Sequence, residues 1–256
     1  MSELAYDSTG RSEAPVVVLA GSLGTTRAMW QPQLAAFAAH SRVVRFDHLG
    51  HGASATPPGP YTIELLGEHL LRLLDELDLP RVSYCGLSLG GMLGMWFAAH
   101  HPDRIDRLAL LCTSAYLPPA QGWLDRAERV RRAGTADIAA EVVARWFTPG
   151  FASRRPDVVE SFVAGLADQP DEGYAACCEA IAAMDLRPVL PRITAATLVV
   201  AGTEDLPTPP EHGRVIAATV TGARFVTVPD AAHLASVEQP DAVNKLLLEH
   251  FAIGRP

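Results

Sequence analysis

The chain has 256 residues, 48% of them hydrophobic and 20% charged, with a formal net charge of -8. That length and composition suit a globular protein with one large α/β domain or one domain carrying an insertion. An acidic chain without a basic run is a poor match for nucleic acid or an anionic membrane surface, and an anionic substrate would need a local arginine acting against the overall field.

The opening "MSELAYDSTG" has neither a basic n-region nor an apolar h-region, and it leaves room for one leading strand, "ELAY". "VVVLA" (16–20) and "RVVRFD" (42–47) then read as strands. "TIELLGEHLLRLLDELDL" puts Ile63, Leu66, Leu70, Leu74 and Leu77 on one helical stripe, with Thr62 as N-cap and Pro80 beyond the end. "RVSYCG" (81–86) is a strand, and "LGGMLGMWFAAHH" is apolar nearly all round, hence a buried helix that Pro102 stops. "RLALLC" (107–112), "TLVVAG" (197–202) and "RFVTVPD" (224–230) are further strands. In "DAVNKLLLEHF", Val243, Leu247 and Phe251 share one helical face. The strands are continuous apolar runs rather than alternating ones, as in a parallel sheet covered on both faces. The alternation of strand and helix predicts a doubly wound, mostly parallel α/β fold.

One region breaks the alternation. Residues 114–193 hold helical stretches and no strand, bracketed by Pro118–Pro119 and Pro188–Pro191. An insertion between two late strands, at the carboxyl edge of a sheet, sits where ligands bind. The expected organisation is a core of residues 1–113 and 194–256 with a helical cap of residues 114–193. No window reaches the roughly 18 apolar residues of a membrane span. Cys85, Cys112, Cys177 and Cys178 show neither a disulfide framework nor zinc-ligand spacing, which predicts reduced thiols and a cytoplasmic protein.

"GLSLG" fits G-x-S-x-G with Gly86, Ser88 and Gly90. The pentapeptide alone is a weak signal, because glycine and serine are common. Here a strand precedes it and a helix follows, which is the context that exposes a strained serine at the sheet edge. A serine hydroxyl needs a base, and the base needs an orienting acid. In this arrangement the chain order is Ser, then Asp or Glu, then His, each partner on a loop after a late strand. "TLVVAGTEDLPTPP" offers Glu204 and Asp205, and "RFVTVPDAAHLASVEQP" offers His233. The shorter Asp205 reaches back most directly, leaving Glu204 as a solvated loop carboxylate. Thr208 and Pro209 read as N-cap and first residue of the next helix. His48 and His51 in "FDHLGHGAS" read as a structural turn, and His69 as a surface residue. The oxyanion of an acyl-transfer intermediate needs two preorganised N–H donors. Leu89, after the nucleophile, and Leu23, in the loop "GSLGTTRAMW", are the candidates. Ser22 lies beside Leu23 where substrate would pass. Nothing in this set calls for a metal or an organic cofactor.

"SLGTTRAMWQPQ", "FDHLGHGAS", "GLSLGGM", "WFTPGF", "GYAACCEAIAAMDLR" and "AGTEDLPTPP" together resemble the 3-oxoadipate enol-lactonases of the α/β-hydrolase superfamily. The resemblance covers nearly the whole chain. "SLGT", "WFTP" and "GYAACCEAI" with its trailing "DLR" are the particular stretches. It implies an eight-stranded hydrolase sheet with a helical cap, and a nucleophile, acid and base at Ser88, Asp205 and His233. Two departures stand out. Gly21 replaces the family's asparagine, which predicts a looser oxyanion loop, and the short N-terminus predicts loss of the first strand. The implied reaction opens an enol-lactone ring through an acyl-enzyme, a step of protocatechuate and catechol breakdown. The substrate is a small anionic lactone, so an arginine should meet its carboxylate. Arg145, beside an apolar wall in Trp146, leads over Arg187, Arg131 and Arg132. An esterase, a C–C bond hydrolase or a cofactor-free perhydrolase would share the same triad, and a ligand-binding protein without turnover would share the fold.

Overall fold

The continuous apolar runs become parallel strands because helices cover both of their faces. The computed structural model describes residues 3–253. A short first strand, β1 (Tyr6–Gly10), is followed by β2 (Val16–Ala20), α1 (Gln31–Ala38), β3 (Arg42–Phe46) and α2 (Ile63–Glu76). Next come β4 (Val82–Leu87), α3 (Leu89–His100) and β5 (Ile105–Leu111). Five helices follow with no strand among them: α4 (Ala120–Ala133), α5 (Ala139–Val143), α6 (Pro149–Arg154), α7 (Pro156–Ala167) and α8 (Asp171–Ala183). The sheet resumes with β6 (Ala196–Gly202), α9 (Pro210–Thr219) and β7 (Arg224–Val228), and the described chain closes with α10 (Ala235–Glu238) and α11 (Pro240–His250).

The strands lie in the order β1-β3-β2-β4-β5-β6-β7, parallel except for β1, which runs antiparallel to β3. Strand order reverses between β2 and β4, where Ala20 stands opposite Gly86. A crevice opens at such a switch point, outside the carboxyl ends of the strands. The loops after β2 and β4 therefore emerge side by side. Gly202 opposes Val228 at the ends of β6 and β7, so the next two loops also emerge together. Behind this edge lies one core. Val17, Val43, Tyr84, Leu108 and Leu198 are sealed within the sheet, and α3 is buried from Leu89 to Met95.

The leading strand is displaced from the expected "ELAY". Leu4 instead packs into the core, and Ala5 ties down through Ser54 Oγ and the Asp47 N–H. The strand is the more polar "YDSTG", whose residues alternate in exposure because an edge strand faces solvent on one side. Among the described residues the sheet thus has seven strands rather than the eight that the resemblance implies. His69 is buried in α2 rather than on the surface, its Nδ1 3.4 Å from Glu3 Oε2. The N-cap of α9 is Pro209, one residue later than expected. Helix α6 was not foreseen, although Thr148, which caps it by accepting the Phe151 N–H, and Pro149 at its first position were a legible start signal.

The helices between β5 and β6 close over the carboxyl edge. Gly50, in the loop after β3, meets Gly173 on α8 with no room for a side chain on either. A Cβ on Gly173 would lie 2.1 Å from the Gly50 carbonyl oxygen. Gly173→Ala should therefore lower unfolding stability by about 2 kcal/mol in urea titration. Gly165→Ala on α7, where nothing lies within 4 Å of the added methyl, should raise stability by about 0.5–1 kcal/mol.

Candidate active site

Ser88 sits between β4 and α3 with φ 56° and ψ -113°, a backbone conformation that side chains rarely adopt. Glycines on both sides make the turn possible. A Cβ on Gly86 would fall 2.1 Å from the Gly90 carbonyl oxygen, and one on Gly90 would fall 2.3 Å from that of Ala20. The turn is held on both of its polar groups. Ser88 N–H donates to Leu111 O at 3.0 Å, and Thr113 Oγ1 donates to Ser88 O at 2.7 Å. The serine side chain opens on a pocket that it shares with Ser22, Leu23 and His233.

His233 and Asp205 meet in the loops after β7 and β6. His233 Nδ1 lies 3.0 Å from Asp205 Oδ1 and 3.1 Å from Oδ2. An ionised carboxylate only accepts, so Nδ1 carries the proton and Nε2 is left with its lone pair. Thr208 completes the cradle of the acid. Its N–H donates to Asp205 Oδ1 at 2.9 Å and its hydroxyl to Oδ2 at 2.8 Å. Burial pushes the Asp205 carboxyl up, but the facing His233 and the two Thr208 donors outweigh it and hold the group below the usual carboxylate range. No hydrogen bond joins Ser88 Oγ to His233 among the described residues, although both line one pocket. Glu204 is exposed and stands apart.

The loop after β2 is held at both ends. Gly21 O accepts the Gly90 N–H at 3.0 Å and lies 2.8 Å from His48 Nε2. Gly24 N–H donates to His51 Nε2 at 2.9 Å, and Ser22 N–H points to Met29 Sδ at 3.3 Å. The glycine at 21 therefore does not loosen the loop. A Cβ there would lie within 2.8 Å of Thr25 Oγ1 and 2.9 Å of Met29 Sδ. Between these engaged groups, the Leu23 N–H finds no acceptor among the described residues. The same holds for Leu89 N–H, which heads α3 before intrahelical bonding begins. Two free backbone donors thus flank the crevice from opposite strands.

Helices from the insertion form the far wall. Arg145 and Trp146 both line the pocket, Trp146 buried and Arg145 exposed with no acid partner among the described residues. Arg187 does not reach it; it pairs with Asp185 and stacks on Tyr116. Arg131 is spent on Glu172 and Glu179. Arg132 is exposed and outside the pocket. Sequence reasoning missed Arg126, Trp123 and Tyr174, which also line it. It missed Glu238 as well, a buried carboxylate that joins the loop of His233 to the insertion. Glu238 Oε2 accepts the Ala232 N–H at 2.9 Å, and Oε1 accepts the Thr148 N–H at 3.0 Å. Leu234 N–H donates to Trp146 O at 3.0 Å across the same seam. No cluster of His, Cys, Asp or Glu among the described residues is arranged to hold a metal ion. The four cysteines are free and buried, and no described helix is long and apolar enough to cross a membrane.

Sheet order, the strained serine between strand and helix, and the histidine–aspartate pair at the same edge define an α/β-hydrolase. The chain belongs to that family, matching the alpha/beta hydrolase fold over residues 15–240, and it is a hydrolase of the ester and lactone class. Over 94% of its length it is 42% identical to 3-oxoadipate enol-lactonase 2 of Acinetobacter baylyi, 90% of which it covers. The crystal structure of the enol-lactonase from Burkholderia xenovorans LB400 matches with a TM-score of 0.95 at 43% identity, over 97% of this chain and 96% of that one. A thermophilic esterase from Thermogutta terrifontis matches with a TM-score of 0.92 at 32% identity, over 97% and 93% of the two chains.

Burial, and for His51 the neighbouring His48, keep both rings neutral; His51 is pushed down to about 3 against the pull of Leu49 O. His48 is lowered too, against the Gly21 carbonyl and Asp47. Below about pH 6.5 the unfolded chain takes up protons on these rings that the fold refuses. Their contribution is therefore full above pH 6.5 and shrinks as pH falls, by up to about 1.4 kcal/mol per pH unit for each ring. Urea unfolding at pH 7.0 and 5.5 should show this loss, and His51→Gln should show a smaller one.

Proposed function

We propose that the protein is a 3-oxoadipate enol-lactonase working through an acyl-enzyme on Ser88. The observation that carries this reading is one shared pocket. Ser88 and His233 line it from the core, and Trp146 and Tyr174 line it from the two insertion segments that most resemble enol-lactonases. Residues 114–193 act as a cap that selects substrate, and residues before and after them supply the chemistry. The relatives named enol-lactonase support the substrate. Four free, buried thiols support a reducing, cytoplasmic setting for this step of aromatic breakdown.

His233 Nε2 takes the Ser88 proton as Oγ attacks the lactone carbonyl, while Asp205 stabilises the imidazolium through Nδ1. The tetrahedral oxyanion settles between Leu23 N–H and Leu89 N–H, whose lack of other acceptors leaves them preorganised. Collapse breaks the ring C–O bond. The departing enolate takes the proton from His233 and becomes a ketone, which cannot readily close the ring again. Water then gives a proton to His233 as it adds to the acyl ester; the acyl C–Oγ bond breaks, Ser88 Oγ takes that proton back from His233, and 3-oxoadipate leaves. Ser22 and Trp146 shape the passage for the ring, and Arg145 presents positive charge at its mouth.

The test uses enol-lactone generated in situ from muconolactone by its isomerase, followed by loss of lactone absorbance. The native protein should clear the lactone rapidly. Ser88→Ala should lower kcat by about 10⁴-fold or more, and Asp205→Asn by about 10³–10⁴-fold. A native rate no faster than that of Ser88→Ala, with labelling of Ser88 by a fluorophosphonate, would keep the hydrolase and remove this lactone as its substrate.

A further inference from the structure

Helix α4 carries Arg126, Arg129, Arg131 and Arg132. Arg129 is held by Asp137 and Glu141, with Nη1 2.8 Å from Glu141 Oε2. Arg131 is held by Glu172 and Glu179. Arg132 points away from the pocket into solvent. Arg126 alone of the four lines the pocket of Ser88, half-buried and with no acid partner among the described residues. Its guanidinium stacks over the Trp123 ring at 4.7 Å, one helical turn earlier. Stacking fixes the plane of the guanidinium and leaves its N–H edge available.

A second, independent group stands beside it. The Tyr174 hydroxyl on α8 is fully buried and belongs to the pocket wall, and among the described residues its O–H has no acceptor, since the neighbouring Arg126 can only donate. A buried O–H without an acceptor is unfavourable, so its place at a ligand wall calls for an acceptor there. Burial and the nearby Cys178 raise its proton affinity, and Arg126 opposes them through its charge and as a side-chain donor toward the hydroxyl oxygen, so the two groups are neighbours. Glu141 also lines the pocket, but Arg129 already neutralises it. A planar cation on an aromatic ring, next to an unsatisfied O–H donor, is the outline of a carboxylate receptor.

We infer that Arg126 and Tyr174 bind the carboxylate of the substrate, at the end of the pocket remote from the reacting carbonyl, and that this pair sets the preference for anionic esters and lactones. The inference rests on the hydrolase reading above and deepens it. Arg126 is more withdrawn from solvent than the exposed Arg145, so its bond to a carboxylate is the less screened of the two. Arg145 raises the local concentration of anions at the entrance; Arg126 holds them.

The test compares mono-4-nitrophenyl glutarate with 4-nitrophenyl pentanoate. In the glutarate ester and in the enol-lactone, the same number of bonds separates the reacting carbonyl carbon from the carboxylate carbon. The readout is the ratio of the two kcat/KM values, in which any loss of folded enzyme cancels. The native protein should prefer the glutarate ester. Arg126→Gln should lower the ratio about tenfold to hundredfold, mainly through KM for the glutarate ester. Arg126→Lys should restore part of it, and Tyr174→Phe should lower it by a smaller factor. Arg145→Gln should lower it only modestly, and by less in high salt. A native ratio near one, a ratio unchanged in Arg126→Gln, or a collapse confined to Arg145→Gln would overturn the inference. Failure of the native protein on the enol-lactone alone would overturn the proposed substrate, while the ester ratio would still decide the role of Arg126.

Discussion

The positive φ of Ser88 is the constraint to which the surrounding structure is fitted. A serine held at φ 56° stores about 1–3 kcal/mol of strain, and it persists only because its neighbours over-determine it. Ser88 N–H and O are both engaged, by Leu111 and Thr113 on the β5 side. Gly86 and Gly90 bring backbone against backbone, and Gly90 N–H fastens α3 to the end of the β2 strand through Gly21 O. One short turn thereby locks together three adjacent strand ends, β2, β4 and β5. The two proposed oxyanion donors inherit their positions from that lock: Leu89 follows the strained residue, and Leu23 follows the carbonyl to which α3 is fastened.

Two buried histidines carry the same order outward. His48 reaches Gly21 O through Nε2, and His51 receives the Gly24 N–H on Nε2, so the two rings use the same nitrogen in opposite senses. That requires different tautomers in residues three positions apart, with His51 Nδ1 turned to Leu49 O. A protonated His51 could not accept from Gly24. The low proton affinity of this ring and the rigidity of the loop are two views of one arrangement. On the other side of the crevice, Glu238 fixes Ala232, next to the proposed base, to Thr148 in the insertion. The loop of His233 is thus steadied from the insertion side as well as by Asp205.

Much of this was legible in the sequence because parallel strands and the loops that follow them leave local signals. Runs such as "VVVLA" and "TLVVAG" are apolar throughout because both faces are buried, and they mark the strands nearly residue by residue. That Ser88, Asp205 and His233 gather at one edge was expected from chain order and from position after a strand, and the His233–Asp205 pair and the shared pocket agree with that placement. What escaped depends on long-range neighbours. Arg126 cannot be told from Arg129 or Arg131 along α4, since all three are arginines on an amphipathic helix. Only the acids on α5 and α8 and in the turn before α5 separate them. Glu238 looks like any polar residue in "ASVEQP" until Thr148, distant in sequence, arrives beside it. His69 lies on the apolar side of α2 next to Leu66 and Leu70, and its burial was readable from that periodicity. The first strand misled because apolar "ELAY" suggests a strand more strongly than polar "YDSTG", yet an edge strand tolerates polarity on its open face.

The insertion leaves the core after β5 and returns at β6, and these strands are direct neighbours in the sheet. Leu186 N–H closes the neck on Ala115 O at 2.8 Å. Both ends are thus fixed a few ångströms apart whatever lies between them, and lengthening a loop between fixed ends costs free energy only logarithmically. Change within the stretch between β5 and β6 therefore need not disturb the register of the strands around Ser88, so long as the seams at Gly173, Thr148 and Trp146 are kept. Variation that spares those seams alters the wall facing Ser88 and leaves the strand ends beneath it in place.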